Sequence, residues 1–253
     1  MENDVQSEFE LAKSLKKQGR VDEAERHYRV AAEAGHPRAM LNLGVLLVGR
    51  DPDEAERWWR AAAEAGNATA MGNLGILLSD RGRPGEAESW YRAAAEAGEL
   101  DARHNLGLLL VERRDLAGAV EQFRIAAAAG HVASMNNLGI ALGELNRFDE
   151  AEEWLRRGAE NGDGRAMCSL GNQLYALGRR DEADEWWAEG AALGDANSMV
   201  NLGVRHEHRN DLARAEECYR DAAKAGHPRA GARADALAAG NWPNGAPYMP
   251  GLF

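Results

Sequence analysis

The sequence predicts an all-α fold: a solenoid of about seven antiparallel helix pairs followed by a C-terminal capping helix. Three observations predict it. The string Asn-Leu-Gly recurs at residues 42–44, 73–75, 105–107, 137–139 and 201–203, with Ser169-Leu170-Gly171 in the gap and Glu10-Leu11-Ala12 as a degenerate copy upstream. A second marker, a Gly closing an Ala-rich run, falls at Gly35, Gly66, Gly98, Gly130, Gly162, Gly194 and Gly226, so both markers step by 31 residues once and by 32 thereafter. The composition agrees: 48 Ala and 28 Gly in 253 residues supply strong helix formers and small contact surfaces. Self-similarity at a fixed period of this length is the mark of stacked supersecondary units, each burying its apolar face on the next.

Each unit reads as two helices. The first, such as residues 39–48, places Met40, Leu43 and Leu47 at i, i+3 and i+7. Gly44 lies inside that pattern, where it costs about 1 kcal/mol relative to Ala, and close approach of a neighbouring helix explains its recurrence. The second helix, such as residues 53–65, carries Ala55, Trp59 and Ala62 on one face. Acidic pairs open it at Asp22-Glu23, Asp53-Glu54, Asp149-Glu150 and Asp181-Glu182, where the helix macrodipole favours negative charge; paired carboxylates are thereby explained as helix starts and solvated faces. The closing Gly is expected to cap the helix in the left-handed conformation, and Pro37 and Pro228 to sit in the first turn of the next helix.

On this alignment the repeats span about residues 5–38, 39–69, 70–101, 102–133, 134–165, 166–197 and 198–229. A capping helix over 230–239, in which Gly231 and Ala234 replace the usual Met and Leu, completes a domain over 1–240. Residues 241–253 hold three of the seven Pro and form an extended Pro/Gly/aromatic tail. Its Trp242, Tyr248, Met249, Leu252 and Phe253 are expected to lie against the solenoid, in the chain's own groove or a neighbour's, the latter giving self-association.

Composition and motifs exclude several functions. A formal net charge of -11 argues against nucleic acid. The apolar runs are far shorter than the roughly 18 residues of a membrane span, and the polar, acidic residues 1–9 do not form a signal peptide. Cys168 and Cys218 form no CxxC pair, so neither a disulfide framework nor a zinc ribbon is expected, and the default compartment is a reducing cytoplasm. His206-Glu207-His208 points its two imidazoles apart on a helix, unlike a zinc-protease pair, and there is no nucleophile elbow or P-loop. No catalytic residue, metal or cofactor is assigned.

Several columns carry information. Tyr28, Trp59, Tyr91, Phe123, Leu155, Trp187 and Tyr219 are equivalent, large and apolar, and are read as core. Trp58, Trp90, Trp154 and Trp186 precede them on a half-exposed seam, and Met40, Met71, Met135, Met167 and Met199 pack between adjacent pairs. The polar column is Asn42, Asn73, Asn105, Asn137, Ser169 and Asn201. An Asn amide both donates and accepts, so it can pair with one peptide unit of an extended ligand, or it can bond the helix-end carbonyl of the previous unit. Three residues on come Val45, Ile76, Leu108, Ile140, Asn172 and Val204, and a turn later Val48, Ser79, Val111, Gly143, Tyr175 and Glu207. Asn42, Asn73, Asn105, Asn137, Ser169, Asn201, Val45, Ile76, Leu108, Ile140, Asn172 and Tyr175 are the candidate peptide-binding residues, and their character favours an uncharged extended peptide.

The runs Ala55-x-x-Trp58-Trp59-x-x-Ala62-Ala63-x-x-Gly66 and Ala87-x-x-Trp90-Tyr91-x-x-Ala94-Ala95-x-x-Gly98 resemble tetratricopeptide repeats, within them the Sel-one-like subtype, although the 32-residue units are shorter than is usual for that subtype. The resemblance covers roughly residues 5–239. It implies a right-handed superhelix whose first helices line a concave groove, and a protein-protein interaction scaffold or adaptor that binds an extended peptide or partner protein. It also implies that the matching Asn residues hold ligand backbone. The carboxylate clamp of some relatives is incomplete here, since Lys13, Lys16 and Lys17 are the only clustered Lys and the central first helices offer Arg103 alone. The competing expectation is a structural or regulatory assembly subunit that oligomerises through its ends or its tail.

Overall fold

The computed structural model describes residues 2–240; the expectations for the 241–253 tail fall outside the described residues. The chain forms two compact units, one ending at Asp115 and the other beginning at Leu116. The first contains α1 (Glu2–Lys17), α2 (Val21–Glu33), α3 (Pro37–Leu47), α4 (Pro52–Glu64), α5 (Ala68–Asp80), α6 (Pro84–Glu96) and α7 (Leu100–Glu112). The second contains α8 (Leu116–Ala128), α9 (Val132–Glu144), α10 (Phe148–Glu160), α11 (Gly164–Ala176), α12 (Arg180–Ala192), α13 (Ala196–His208), α14 (Leu212–Lys224) and α15 (Ala230–Ala238). The described residues hold no strand. Within each unit consecutive helices pack on one another, and α5 touches α7, α9 touches α11 and α11 touches α13.

The glycine markers do what the pattern requires. Gly35, Gly66, Gly98, Gly130, Gly162, Gly194 and Gly226 all have positive φ. At Gly35 its N–H donates to Ala32 O (2.9 Å) and the His36 N–H to Ala31 O (3.0 Å), which satisfies the carbonyls a helix end leaves over. The next residue then caps the following helix: the side chains of His36, Asn67, His131, Asp163 and Asp195 each accept from a backbone N–H in the first turn. Pro37 is the first residue of α3 as expected. Pro228 is not in a helix. There His227 Nδ1 accepts from the Arg229 N–H two residues on, the chain makes a turn over 228–229, and α15 starts only at Ala230.

The glycine inside the first helix receives the large side chain of the paired second helix at Gly44, Gly75, Gly139, Gly171 and Gly203. A Cβ built on Gly44 would lie 2.4 Å from Trp59 Nε1, on Gly75 2.5 Å from Tyr91, on Gly139 2.4 Å from Leu155, and on Gly171 2.4 Å from Trp187 Nε1. In the first pair Ala12 stands at that position, and Tyr28 packs against Phe9 with ring centroids 6.0 Å apart. The two columns are therefore one device, a large side chain seated on bare backbone, and where it is an indole Trp59 Nε1 donates to Leu41 O (3.1 Å) and Trp187 Nε1 to Cys168 O (3.2 Å). Leu43, Leu74, Leu106, Leu138 and Leu170 are buried. Leu202 is only half-buried, with Val200 and Val204 taking the core beside Tyr219.

A second periodic device is ionic, where the sequence alone shows only helix starts and solvated faces. In the first unit Arg29 and Arg50 flank Glu25, Arg29 also reaches Glu54, and Arg60, Arg81 and Arg83 converge on Glu56 at 2.9, 2.6 and 2.8 Å. Arg92 and Arg113 share Glu88. In the second unit Arg156 and Arg179 share Glu152 (2.8 and 2.7 Å), and Arg205 and Arg209 share Asp184 (2.6 Å each). These acids are half-buried, and each links two successive helix pairs. Burial pushes the Glu56 and Glu152 carboxyls up, but their Arg partners outweigh it and hold both below the ordinary value. Glu207 is buried and binds Arg233 through both oxygens (2.8 and 2.5 Å), fixing α15 to α13.

Candidate peptide-binding face

In the first unit the Asn column lies half-buried on α3, α5 and α7. Asn42 Nδ2 donates to Arg38 O of its own helix (2.9 Å). Among the described residues the side chains of Asn73 and Asn105 carry no hydrogen bond, so neither bonds the helix-end carbonyl of the previous pair. One turn on, Val45, Ile76 and Leu108 are 39–44% exposed. The i, i+3 spacing puts each of them on the face of its Asn. An unbonded amide beside an exposed aliphatic side chain thus recurs on successive first helices, each amide able to donate and accept at once.

The second unit treats the same columns differently. Asn137 and Ser169 are half-buried, and Asn137 Oδ1 accepts from Asn136 Nδ2 (3.3 Å). Asn201 is buried, and its Nδ2 donates to Asn172 Oδ1 (2.7 Å), which also accepts from Trp187 Nε1 (3.1 Å). Asn201 and Asn172 therefore tie α13 to α11. Tyr175 packs on Trp187 at 5.6 Å, and the guanidinium groups of Arg180 (5.8 Å) and Arg205 (5.4 Å) both approach its ring. Ile140 is exposed and forms one wall of a cavity of about 320 Å³ between α9 and α11.

That cavity is lined by Gly139, Ile140, Gly143, Phe148, Leu155, Ser169, Asn172, Gln173, Ala176 and Leu177, none of them charged. The sequence columns named Ile140, Ser169 and Asn172 among these but not Phe148, Gln173 or Leu177. Gln173 Nε2 donates to Phe148 O (2.6 Å) and closes the side near the α9–α10 turn. The signal that could have found the cavity is departure from the repeat. Gly143 stands where other copies have Val48, Ser79, Val111, Tyr175 and Glu207, and Leu145 and Leu177 stand where other copies have Arg50, Arg81, Arg113 and Arg209.

Among the described residues no group of His, Cys, Asp or Glu gathers as a metal-ligand set, and no helix is long and apolar enough to cross a membrane.

Stacked helix pairs that present a row of amides and aliphatic side chains on their first helices define a helical-repeat protein of the α-solenoid class. Family models described as tetratricopeptide repeat match residues 9–65, 67–99, 104–166, 164–189 and 196–225, and the chain belongs to the tetratricopeptide repeat family. Its Sel1-like character is supported by a solved structure, the Sel1 repeat protein from Oxalobacter formigenes. That protein is 27% identical over 86% of this chain and 99% of its own, with a TM-score of 0.70. The pilF protein of Pseudomonas aeruginosa (20% identity, 74% of this chain, 90% of that chain, TM-score 0.62) shares the fold. So does a tetratricopeptide repeat protein from Parabacteroides merdae (16%, 93%, 97%, 0.61). No curated protein matches the chain.

Proposed function

We propose that the chain is a non-enzymatic scaffold that captures an uncharged, extended segment of a partner protein along the first-helix face. Asn42, Asn73, Asn105, Asn137 and Ser169 hold the ligand backbone, while Val45, Ile76, Leu108 and Ile140 receive its apolar side chains. The observation that carries this reading is the repeated pairing, in the first unit, of an unbonded Asn with an exposed aliphatic residue. Family membership supports the general role, since repeat proteins of this kind present extended binding surfaces. In the second unit Asn172 and Tyr175 flank Ile140 and Ser169 on the first helices, and Asn201 acts through Asn172. A reducing cytoplasm suits two free thiols, one of them buried.

The test is a random-peptide display selection on the full chain, followed by affinity measurement on the Asn73→Ala/Asn105→Ala double variant. Each Asn removed forfeits hydrogen bonds worth about 1–1.5 kcal/mol, so the pair weakens binding roughly 30- to 150-fold. Ala is the better helix former, so the helical circular dichroism is expected to stay unchanged. Selection of acidic peptides, or full affinity in the double variant, refutes the reading and favours an assembly subunit that works through other surfaces.

A further inference from the structure

We infer that the cavity between α9 and α11 is the docking site for the chain's own C-terminal segment, residues 241–253, with Tyr248 and Met249 seated in it in cis. The inference rests on reading this face as a peptide-binding one, and it gives Ile140, Ser169 and Asn172 of the second unit to the chain's own segment, leaving Asn73, Asn105, Ile76 and Leu108 of the first unit to a partner protein.

Three features carry it. The lining of the cavity departs from the repeat at this place: a Cβ built on Gly143 meets nothing within 4 Å, and Leu177 replaces the Arg that most other copies carry at the same turn. It is also chemically matched to the segment. The lining holds no charge, and Asn-Trp-Pro-Asn-Gly-Ala-Pro-Tyr-Met-Pro-Gly-Leu-Phe holds no Asp, Glu, Lys or Arg, in a chain whose charged fraction is 28%. Asn172 Oδ1 is already engaged by Trp187 and Asn201, which leaves its amide hydrogens to be matched by backbone carbonyls of an occupant.

Reach is the third feature. The segment leaves Gly240 just past α15, which packs on α13 through Arg233 and Glu207, and α13 touches α11. The cavity lies on the α9 side of α11, so two and a half steps between neighbouring first helices at about 10 Å each give a path of roughly 25 Å. Tyr248 lies eight residues beyond Gly240, which an extended Pro-rich chain covers in about 25 Å at ~3.1 Å per residue. Trp242 is too close to the anchor to make that path, which is why Tyr248 and Met249 are assigned.

Hydrogen exchange read by mass spectrometry on the full chain tests this, with the synthetic 241–253 peptide as the free reference. In the wild type the amides around Tyr248 should exchange about tenfold or more slowly than in the free peptide, and equally so on dilution. Gly143→Leu fills the cavity and Leu177→Arg restores the charge of the other copies; each should return the segment to the free-peptide rate. Gly72→Leu, at another helical glycine with open space around it, should leave protection intact. Free-peptide exchange in the wild type, or protection indifferent to both cavity variants, overturns the inference. Protection that vanishes on dilution as the molecular mass halves overturns it too, since the occupant is then a second copy. This readout needs no external ligand, so failure of the display selection and failure of tail docking are separate results.

Discussion

The substitution Gly171→Ala adds one methyl group and should nevertheless destabilise the protein. The added Cβ would sit 2.4 Å from Trp187 Nε1, 2.6 Å from Cδ1 and 2.9 Å from Cε2, so the indole must retreat by about 1 Å to restore ordinary contact. Trp187 is buried, and its Nε1 is held by Cys168 O and by Asn172 Oδ1, the atom that also anchors Asn201. Overpacking costs about 1–3 kcal/mol, and each hydrogen bond weakened by the shift costs about 1 kcal/mol. Against this stands a helix-propensity gain of about 1 kcal/mol. The net expectation is a loss of roughly 1–3 kcal/mol. Gly143→Ala is the internal control: its Cβ meets no atom within 4 Å, so only the propensity gain remains and stability should hold or rise. Urea titrations followed by circular dichroism measure both, with hydrogen exchange in α11 and α12 locating the loss, because stacked repeats need not unfold in one step. If Gly171→Ala proves as stable as Gly143→Ala, the ring-on-glycine device is not what holds a pair together.

Two further outcomes follow from the same geometry. Glu56 and Glu152 have folded-state carboxyls held below their unfolded value of about 4.3, so their contribution is complete above that pH and is lost as pH falls through the folded value. The urea midpoint should therefore drop on acidification below about pH 4.5, and the Glu56→Gln variant should show a shallower fall. Burial pushes the Cys168 thiol up to about 12 and also raises that of half-buried Cys218. A thiol reagent at pH 8 should label Cys218 alone in the folded chain and Cys168 only in urea; rapid labelling of both contradicts the packing described.

Much of the fold was legible because the repeat prints the same physical requirement many times. A helical Gly that recurs must have a reason, and Gly44 against Trp59 shows it to be a ring rather than a backbone. The closing glycines were equally legible, since a left-handed cap has few alternatives to Gly. The ionic links were not. Glu56 reads as one more acid on a polar helix, and its partners Arg81 and Arg83 come from the turn of the next pair, a relation visible only once pairs are stacked. The pairing of Asn201 with Asn172 was hidden for a similar reason, as it joins neighbouring first helices across a whole repeat. The cavity beside Ile140 was legible only in part: Ile140, Ser169 and Asn172 stand in recurring columns, but Gly143 and Leu177 are exceptions in columns that otherwise repeat.

The most direct measurement is the position of a covalent mark left by a bound peptide. A display-selected peptide carrying a photoactivatable diazirine at its apolar position should, on irradiation with the full chain, attach to Val45, Ile76 or Leu108 on the first helices. Adducts on the second helices, around Trp58 or Trp90, would contradict the account and move the binding face to the opposite side of each pair.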